Sequence, residues 1–111
     1  MISLNGYIRA TNMVVPAARA IISKELKHRY KLTETEIAGY LGIAQAAVSK
    51  YLKGRYSERI KAIEKGIDIG PVRGYLDRIA AGKREYANMA ICTICSKENY
   101  FNCKFSKAGT Q

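Results

Sequence analysis

The chain of 111 residues has room for one compact domain, and its 48% hydrophobic content is enough for an ordinary core. Its 19 Lys and Arg against 9 Asp and Glu give a net charge of +10, which favours a polyanionic partner such as nucleic acid or an anionic membrane surface. The sequence has neither the roughly 18 uninterrupted apolar residues of a membrane span nor a signal-peptide pattern, so we expect a cytoplasmic protein.

The first periodic segment begins near Pro16, a residue suited to the first turn of a helix. Residues 1–13 before it carry no clear period. Apolar residues then recur at spacings of three and four, which predicts a supporting helix over residues 16–30. Its apolar stripe consists of Val14, Ala18, Ile21, Ile22, Leu26 and Tyr30.

The next segment has the pattern of two short helices joined by a sharp turn. Thr33 and Glu36 have the spacing of a capping box, so a helix should run from about Glu34 to Leu41. Gly42 suits a turn with a positive φ angle, and a further helix is predicted from about Ala44 to Lys53. The apolar residues expected to pack on either side of the turn are Ile37, Ala38, Leu41, Ile43, Val48 and Leu52.

Three more helices are predicted downstream. Ser57 can cap a helix that stops at Gly66, Gly70 and Pro71 open another that stops at Gly82, and a last one covers residues 83–95. We find no segment with the convincing two-residue alternation of apolar and polar residues that is typical of a strand. The predicted fold class is therefore all-α, with an N-terminal arm and the turn-linked helices over 1–55, a helical extension over 56–95 and a cysteine-containing tail over 96–111.

The helix pair around Gly42 meets the packing requirements of a helix-turn-helix. Small Ala46 and Ala47 would keep the second helix slim enough for a DNA major groove about 12 Å wide. Gln45 can pair with an adenine edge, Lys50 can donate to guanine, and Ser49 can contact a base or a phosphate. The alternative is two packed helices of an unrelated bundle.

A family resemblance supports the first interpretation. LTETEIAGYLGIAQAAVSKYLKG resembles the helix-turn-helix of lambda-repressor-like transcription regulators, and VVPAARAIISKEL together with ICTIC resembles a group of predicted archaeal regulators. The resemblance implies a lambda-repressor-like bundle. It also implies groove-facing positions at Gln45, Ala46, Ser49 and Lys50, with Lys53 and Arg55 near the DNA backbone, although these last two could equally belong to a solvated face.

One position departs from that family pattern. Where the family usually has Ser or Thr before the glutamine, this chain has Ala44. We expect a weaker helix cap there and the loss of one phosphate contact.

A helix-turn-helix of this size usually needs a twin, so a homodimer bound to an inverted repeat is expected. The candidate dimer surface is an apolar stripe in the helical extension. Each residue of the stripe could equally belong to the core of the monomer. The stripe consists of Val72, Tyr75, Leu76 and Ile79, extended by Ile60 and Ile63.

Three cysteines lie close together near the C-terminus. Cys92 and Cys95 have C-x2-C spacing and Cys103 follows eight residues later, so three thiolates could hold zinc or an iron–sulfur cluster. A fourth ligand could come from His28, a dimer partner or a small molecule. Redox switching and incidental thiols are the alternatives.

The sequence thus predicts a regulator of transcription that binds double-stranded DNA as a homodimer, with a metal or iron–sulfur site as a potential modulator. No catalytic constellation points to an enzyme. Two other classes stay open. One is an antitoxin-like module that binds both a protein and nucleic acid, and the other is a redox protein centred on the cysteines.

Overall fold

A computed structural model describes residues 13–97, the last three of them through their backbone only. The described chain forms six α-helices and one 3-10 turn, and it contains no strand. The predicted all-α class is confirmed over this part of the chain. The helices are α1 (Val15–His28), α2 (Glu34–Leu41), α3 (Gln45–Lys53), α4 (Glu58–Lys65), α5 (Arg73–Ala80) and α6 (Tyr86–Lys97), with the 3-10 turn Gly70–Val72 before α5.

Two of the predicted helix starts are confirmed in detail. At α2 the Thr33 side chain accepts a hydrogen bond from the Glu36 amide at 3.1 Å, and the Glu36 carboxylate accepts from the Thr33 amide at 2.9 Å. This is a complete capping box. At α4 the Ser57 hydroxyl accepts from the Ile60 amide at 3.2 Å. Both caps satisfy amides that a helix cannot pair internally.

Glycines with positive φ close three helices. The φ angles are 67° at Gly42, 71° at Gly54 and 101° at Gly82. In each case the following amide donates back to a carbonyl five residues earlier, as in a Schellman motif. The predicted turn at Gly42 is thereby confirmed, and the Ile43 amide donates to the Ala38 carbonyl at 3.1 Å.

The core is built around α1, which contacts all five other helices. Its Ala17, Ala18, Ile22 and Leu26 are fully buried. Because α1 packs against α3 and also against α4 and α6, the helices on both sides of position 55 share one core. The other core residues are Ile37, Ala38, Leu41, Val48, Ile67, Val72, Leu76, Ile79, Ala87, Ala90 and Ile94.

The candidate dimer stripe is largely part of this core. Leu76 and Ile79 are completely buried in the monomer and Val72 is 1% exposed, so the intramolecular alternative holds for these three. Tyr75, Ile60 and Ile63 are half-buried, and they keep some accessible surface.

Several boundaries differ from the predicted ones by a few residues. The first helix ends at His28, so Tyr30 lies beyond it, where its hydroxyl donates to the Asp77 carboxylate of α5. Gly70 and Pro71 form a 3-10 turn and not the first turn of α5. The last helix begins at Tyr86, three positions later than expected. Of the helices in the described range, none has the length and apolar character needed to cross a membrane.

Candidate nucleic-acid interface

One face of α3 carries most of the predicted DNA-contacting residues. Gln45, Ser49 and Lys53 follow one another at spacings of four, and Ala46 and Lys50 form the adjacent row on the same side. Within this face only Ser49 is half-buried, and the other four residues are exposed.

The opposite side of α3 fixes the helix to the core. Val48 is fully buried, and Tyr51 and Leu52 are half-buried on that side. The helix packs there against α1 and α2. The pattern of the sequence therefore leaves one polar face of α3 directed away from the core.

The cations at this face form no ion pair with another residue of the described range. The ion pairs of the described residues join Lys24 to Glu64 and Lys61 to Glu58, so Lys50, Lys53 and Arg55 take part in none. The α3 sequence itself contains no acidic residue. Lys50 and Lys53 lie in its last turn, where the helix dipole also favours positive charge.

The turn before α3 has the expected glycine but no side-chain cap. Ala44 adopts the extended conformation of an N-cap residue, with φ of −70° and ψ of 146°. Within the described range no side chain bonds to the first amides of α3. The weaker cap expected at Ala44 is confirmed.

A cluster that sequence analysis missed holds the other end of α3. Tyr56 follows the helix, and its hydroxyl accepts a hydrogen bond from the Lys24 amine at 2.7 Å and donates to the Glu64 carboxylate. Lys24 also donates to Glu64 at 2.8 Å. The three groups therefore form a closed triangle between α1, α4 and the segment that follows α3.

The proton equilibria of this triangle reflect its burial and its hydrogen bonds. Burial raises the pKa of the Tyr56 hydroxyl, and the bond to Glu64 raises it further against the opposing effect of Lys24. Burial lowers the pKa of Lys24, but its bonds to Glu64 and Tyr56 outweigh this effect and leave that pKa raised. The triangle therefore keeps a protonated amine and a neutral phenol at neutral pH.

The lysine amine interacts with the hydroxyl of Tyr56 and not with the face of its ring. The Lys24 Nζ atom lies 5.4 Å from the ring centroid but 2.7 Å from the hydroxyl oxygen. The amine is therefore at the edge of the ring, beyond the hydroxyl. Lys61 lies 5.7 Å from the same centroid, within the usual range of a cation–π contact.

The cysteine prediction falls largely beyond the described side chains. Cys92 is half-buried in α6, Cys95 is among the last three residues of that helix, and Cys103 lies outside the described residues. His28 is exposed at the end of α1. Residues 13–97 contain no group of three potential ligands able to hold a metal ion. Since the predicted site needs Cys103, zinc or an iron–sulfur cluster stays a prediction.

Comparison of the chain with protein-family models, with curated proteins and with solved structures gives no significant match. The functional interpretation consequently depends on the geometry and charge of the α2–α3 region.

Proposed function

We propose that this protein is a sequence-specific regulator of transcription that binds double-stranded DNA. In this proposal α2, the turn at Gly42 and α3 form the helix-turn-helix of a lambda-repressor-like bundle, and α3 is the recognition helix. The observation that carries the proposal is the exposed face of α3 on the side opposite Val48, with its glutamine, its small residues and lysines that form no ion pair within residues 13–97.

The dimensions and chemistry of α3 suit a major groove. An α-helix with its side chains is about 10–12 Å across, close to the groove width of about 12 Å. Ala46 adds little to the exposed side, so the helix backbone can approach the base edges closely. Gln45 is placed to pair with adenine and Lys50 to donate to guanine, while Ser49 can contact either a base or a phosphate.

The cations at the end of α3 account for the backbone contacts. Lys53 and Arg55 are exposed and lie next to the Gly54 turn that closes the helix. In our proposal they neutralise phosphates, which fixes the register of α3 without carrying sequence information. The net charge of +10 supports association with a polyanion of this kind.

The regulator is proposed to act as a homodimer on an inverted repeat, with recognition helices about 34 Å apart. The burial of Val72, Leu76 and Ile79 limits the predicted stripe as a dimer surface. Accessible surface for a dimer contact remains at three residues of the stripe, Tyr75, Ile60 and Ile63.

A metal or iron–sulfur site at Cys92, Cys95 and Cys103 is retained as the proposed modulator of DNA binding. Cysteine thiolates are the donors that zinc and iron–sulfur clusters prefer. Metal analysis and ultraviolet–visible spectra of anaerobically purified protein test it, and a preparation without zinc or iron would remove it.

Selection of bound fragments from random duplex DNA tests the proposal as a whole. We expect enrichment of one inverted-repeat motif and a complex of two chains per duplex. A protein without sequence preference that co-purifies with a stoichiometric protein partner would instead favour the antitoxin-like class.

A further inference from the structure

We propose that Tyr56 is a positioning residue for DNA recognition, which holds the C-terminal end of α3 at a fixed orientation relative to α1 and α4. This inference rests on the proposed function. Tyr56 does not lie on the exposed face of α3, and it would act through the helix and not by touching DNA.

The first observation is the limited burial of α3. Of its nine residues only Val48 is buried. A helix this short depends on tertiary contacts for its orientation, because its own hydrogen bonds do not stabilise it in isolation. Each contact near its ends therefore affects where its exposed face points.

The second observation is the ring contact between Tyr51 and Tyr56. Tyr51 belongs to the last turns of α3, and its ring meets that of Tyr56 edge to face, with centroids 5.9 Å apart and planes at 71°. This is a favourable geometry for an aromatic pair. Tyr56 thus contacts the recognition helix directly, close to Lys53 and Arg55.

The third observation is that Tyr56 is itself fixed. Its hydroxyl is bonded to Lys24 of α1 and Glu64 of α4, and the Glu64 side chain is only 12% exposed. Hydrogen bonds to charged partners shielded from water are stronger than those between neutral groups. The orientation of the Tyr56 ring, and with it the end of α3, is therefore set by two other helices.

The consequence concerns discrimination between DNA sequences more than overall affinity. Base contacts require side chains to be held within about 0.5 Å of the productive geometry. Non-specific binding depends mainly on charge, which a Tyr-to-Phe change does not alter. Loosening α3 should therefore weaken binding to the preferred site while leaving binding to random DNA unchanged.

Tyr56→Phe tests the inference, with Tyr30→Phe as a matched control. Both variants lose one hydroxyl that donates to a carboxylate, Glu64 in one case and Asp77 in the other, but the Tyr30 bond connects the end of α1 to α5 and does not involve α3. The first measurement is amide hydrogen exchange in the full chain without DNA. We expect exchange in α3 to become about tenfold faster in Tyr56→Phe, as loss of the partly buried hydrogen bonds to Glu64 and Lys24 allows. It should stay unchanged in Tyr30→Phe.

The second measurement is the affinity for the selected duplex and for a random duplex at one salt concentration. Tyr56→Phe should lower the affinity for the selected duplex about three- to tenfold and leave the other unchanged. Equal acceleration of α3 exchange in both variants, or a parallel loss of both affinities, would show that Tyr56 has only a general structural role. If the wild type itself shows no duplex preference, the proposed function fails and the DNA-positioning role fails with it, while the exchange data still report whether Tyr56 anchors α3.

Discussion

Gly42 and Gly39 are two exposed glycines of the α2 region that differ in backbone conformation. The described residues place no atom within 4 Å of a Cβ built at either position, so neither substitution by alanine meets a steric clash. Gly42 has φ of 67°, whereas Gly39 lies inside α2. The two positions therefore differ in backbone conformation and not in the space available for a side chain.

We predict opposite effects for the two alanine variants. Gly42→Ala should lower the free energy of unfolding by about 1–2 kcal/mol, because an L-residue resists the left-handed region. Gly39→Ala should raise it by about 0.5–1 kcal/mol, because alanine is the better helix former. Denaturant unfolding of both variants measures the difference, and a gain at Gly42 would contradict the assigned turn.

Substitution by alanine at Ser23 and at Ser57 should change the stability of the protein in opposite directions. Ser23 is completely buried in α1, and its hydroxyl has no hydrogen-bond partner in the described part of the chain. Ser57 is exposed and caps α4. We expect Ser23→Ala to raise the free energy of unfolding by about 1 kcal/mol, since it removes an unsatisfied buried group. Ser57→Ala should lower it by about 1 kcal/mol. Thermal and denaturant unfolding report both, and a loss at Ser23 would indicate a partner for its hydroxyl.

Ala44 offers a direct test of how α3 begins. Its φ and ψ of −70° and 146° resemble those of the capping Thr33, at −79° and 162°, so a serine there needs no backbone change. Ala44→Ser should stabilise the protein by about 1 kcal/mol through a new bond to a free amide of α3. Denaturant unfolding checks the gain, and Ala44→Val, which supplies no hydroxyl and is as poor an N-cap residue as alanine, is the control.

Most helix boundaries with a local capping or turn signal followed from the sequence. Thr33, Ser57 and the glycines at 42 and 82 act through contacts within a few residues, so their spacing predicts them. Signals of this kind are missing at Lys31, a lysine with φ of 62° that sequence analysis did not single out. The 3-10 turn at Gly70 was missed because proline is equally compatible with a helix start.

The packing of the assembled helices could be predicted only in part. Periodicity identified the buried faces of α1 and α3, but it could not decide whether Val72, Leu76 and Ile79 pack within the monomer or against another chain. The exposed face of α3 was anticipated from the same periodicity. The pairing of Lys24 with Tyr56 and Glu64 was not, because these residues are 32 and 40 positions from Lys24 and no local pattern connects them.

The raised pKa values of two tyrosines that connect helices lead us to predict a loss of stability at alkaline pH. Burial and the bond to Asp77 raise the pKa of Tyr30, and burial and the bond to Glu64 raise that of Tyr56. A hydroxyl whose pKa is higher in the folded state than in the unfolded state stabilises the fold fully at pH values below the unfolded pKa of about 10. This contribution is lost as the pH rises through the folded pKa. Stability should therefore fall above about pH 10. The double variant Tyr30→Phe/Tyr56→Phe should show a shallower decline in pH-dependent unfolding, and an unchanged decline would contradict the two assignments.

The central claim is that the exposed face of α3 contacts DNA bases, and one comparison tests it most directly. Lys50→Ala and Lys83→Ala each remove one exposed positive charge, the first from α3 and the second from the turn after α5. Affinities for the selected duplex and for its single-base variants are measured at equal salt. We predict that Lys50→Ala loses about 1–3 kcal/mol on the selected duplex and relaxes preference at one base pair. Lys83→Ala should keep the preference of the wild type. Identical base preferences in wild type and Lys50→Ala, with equal small losses in both variants, would contradict the assignment of α3 as the recognition helix.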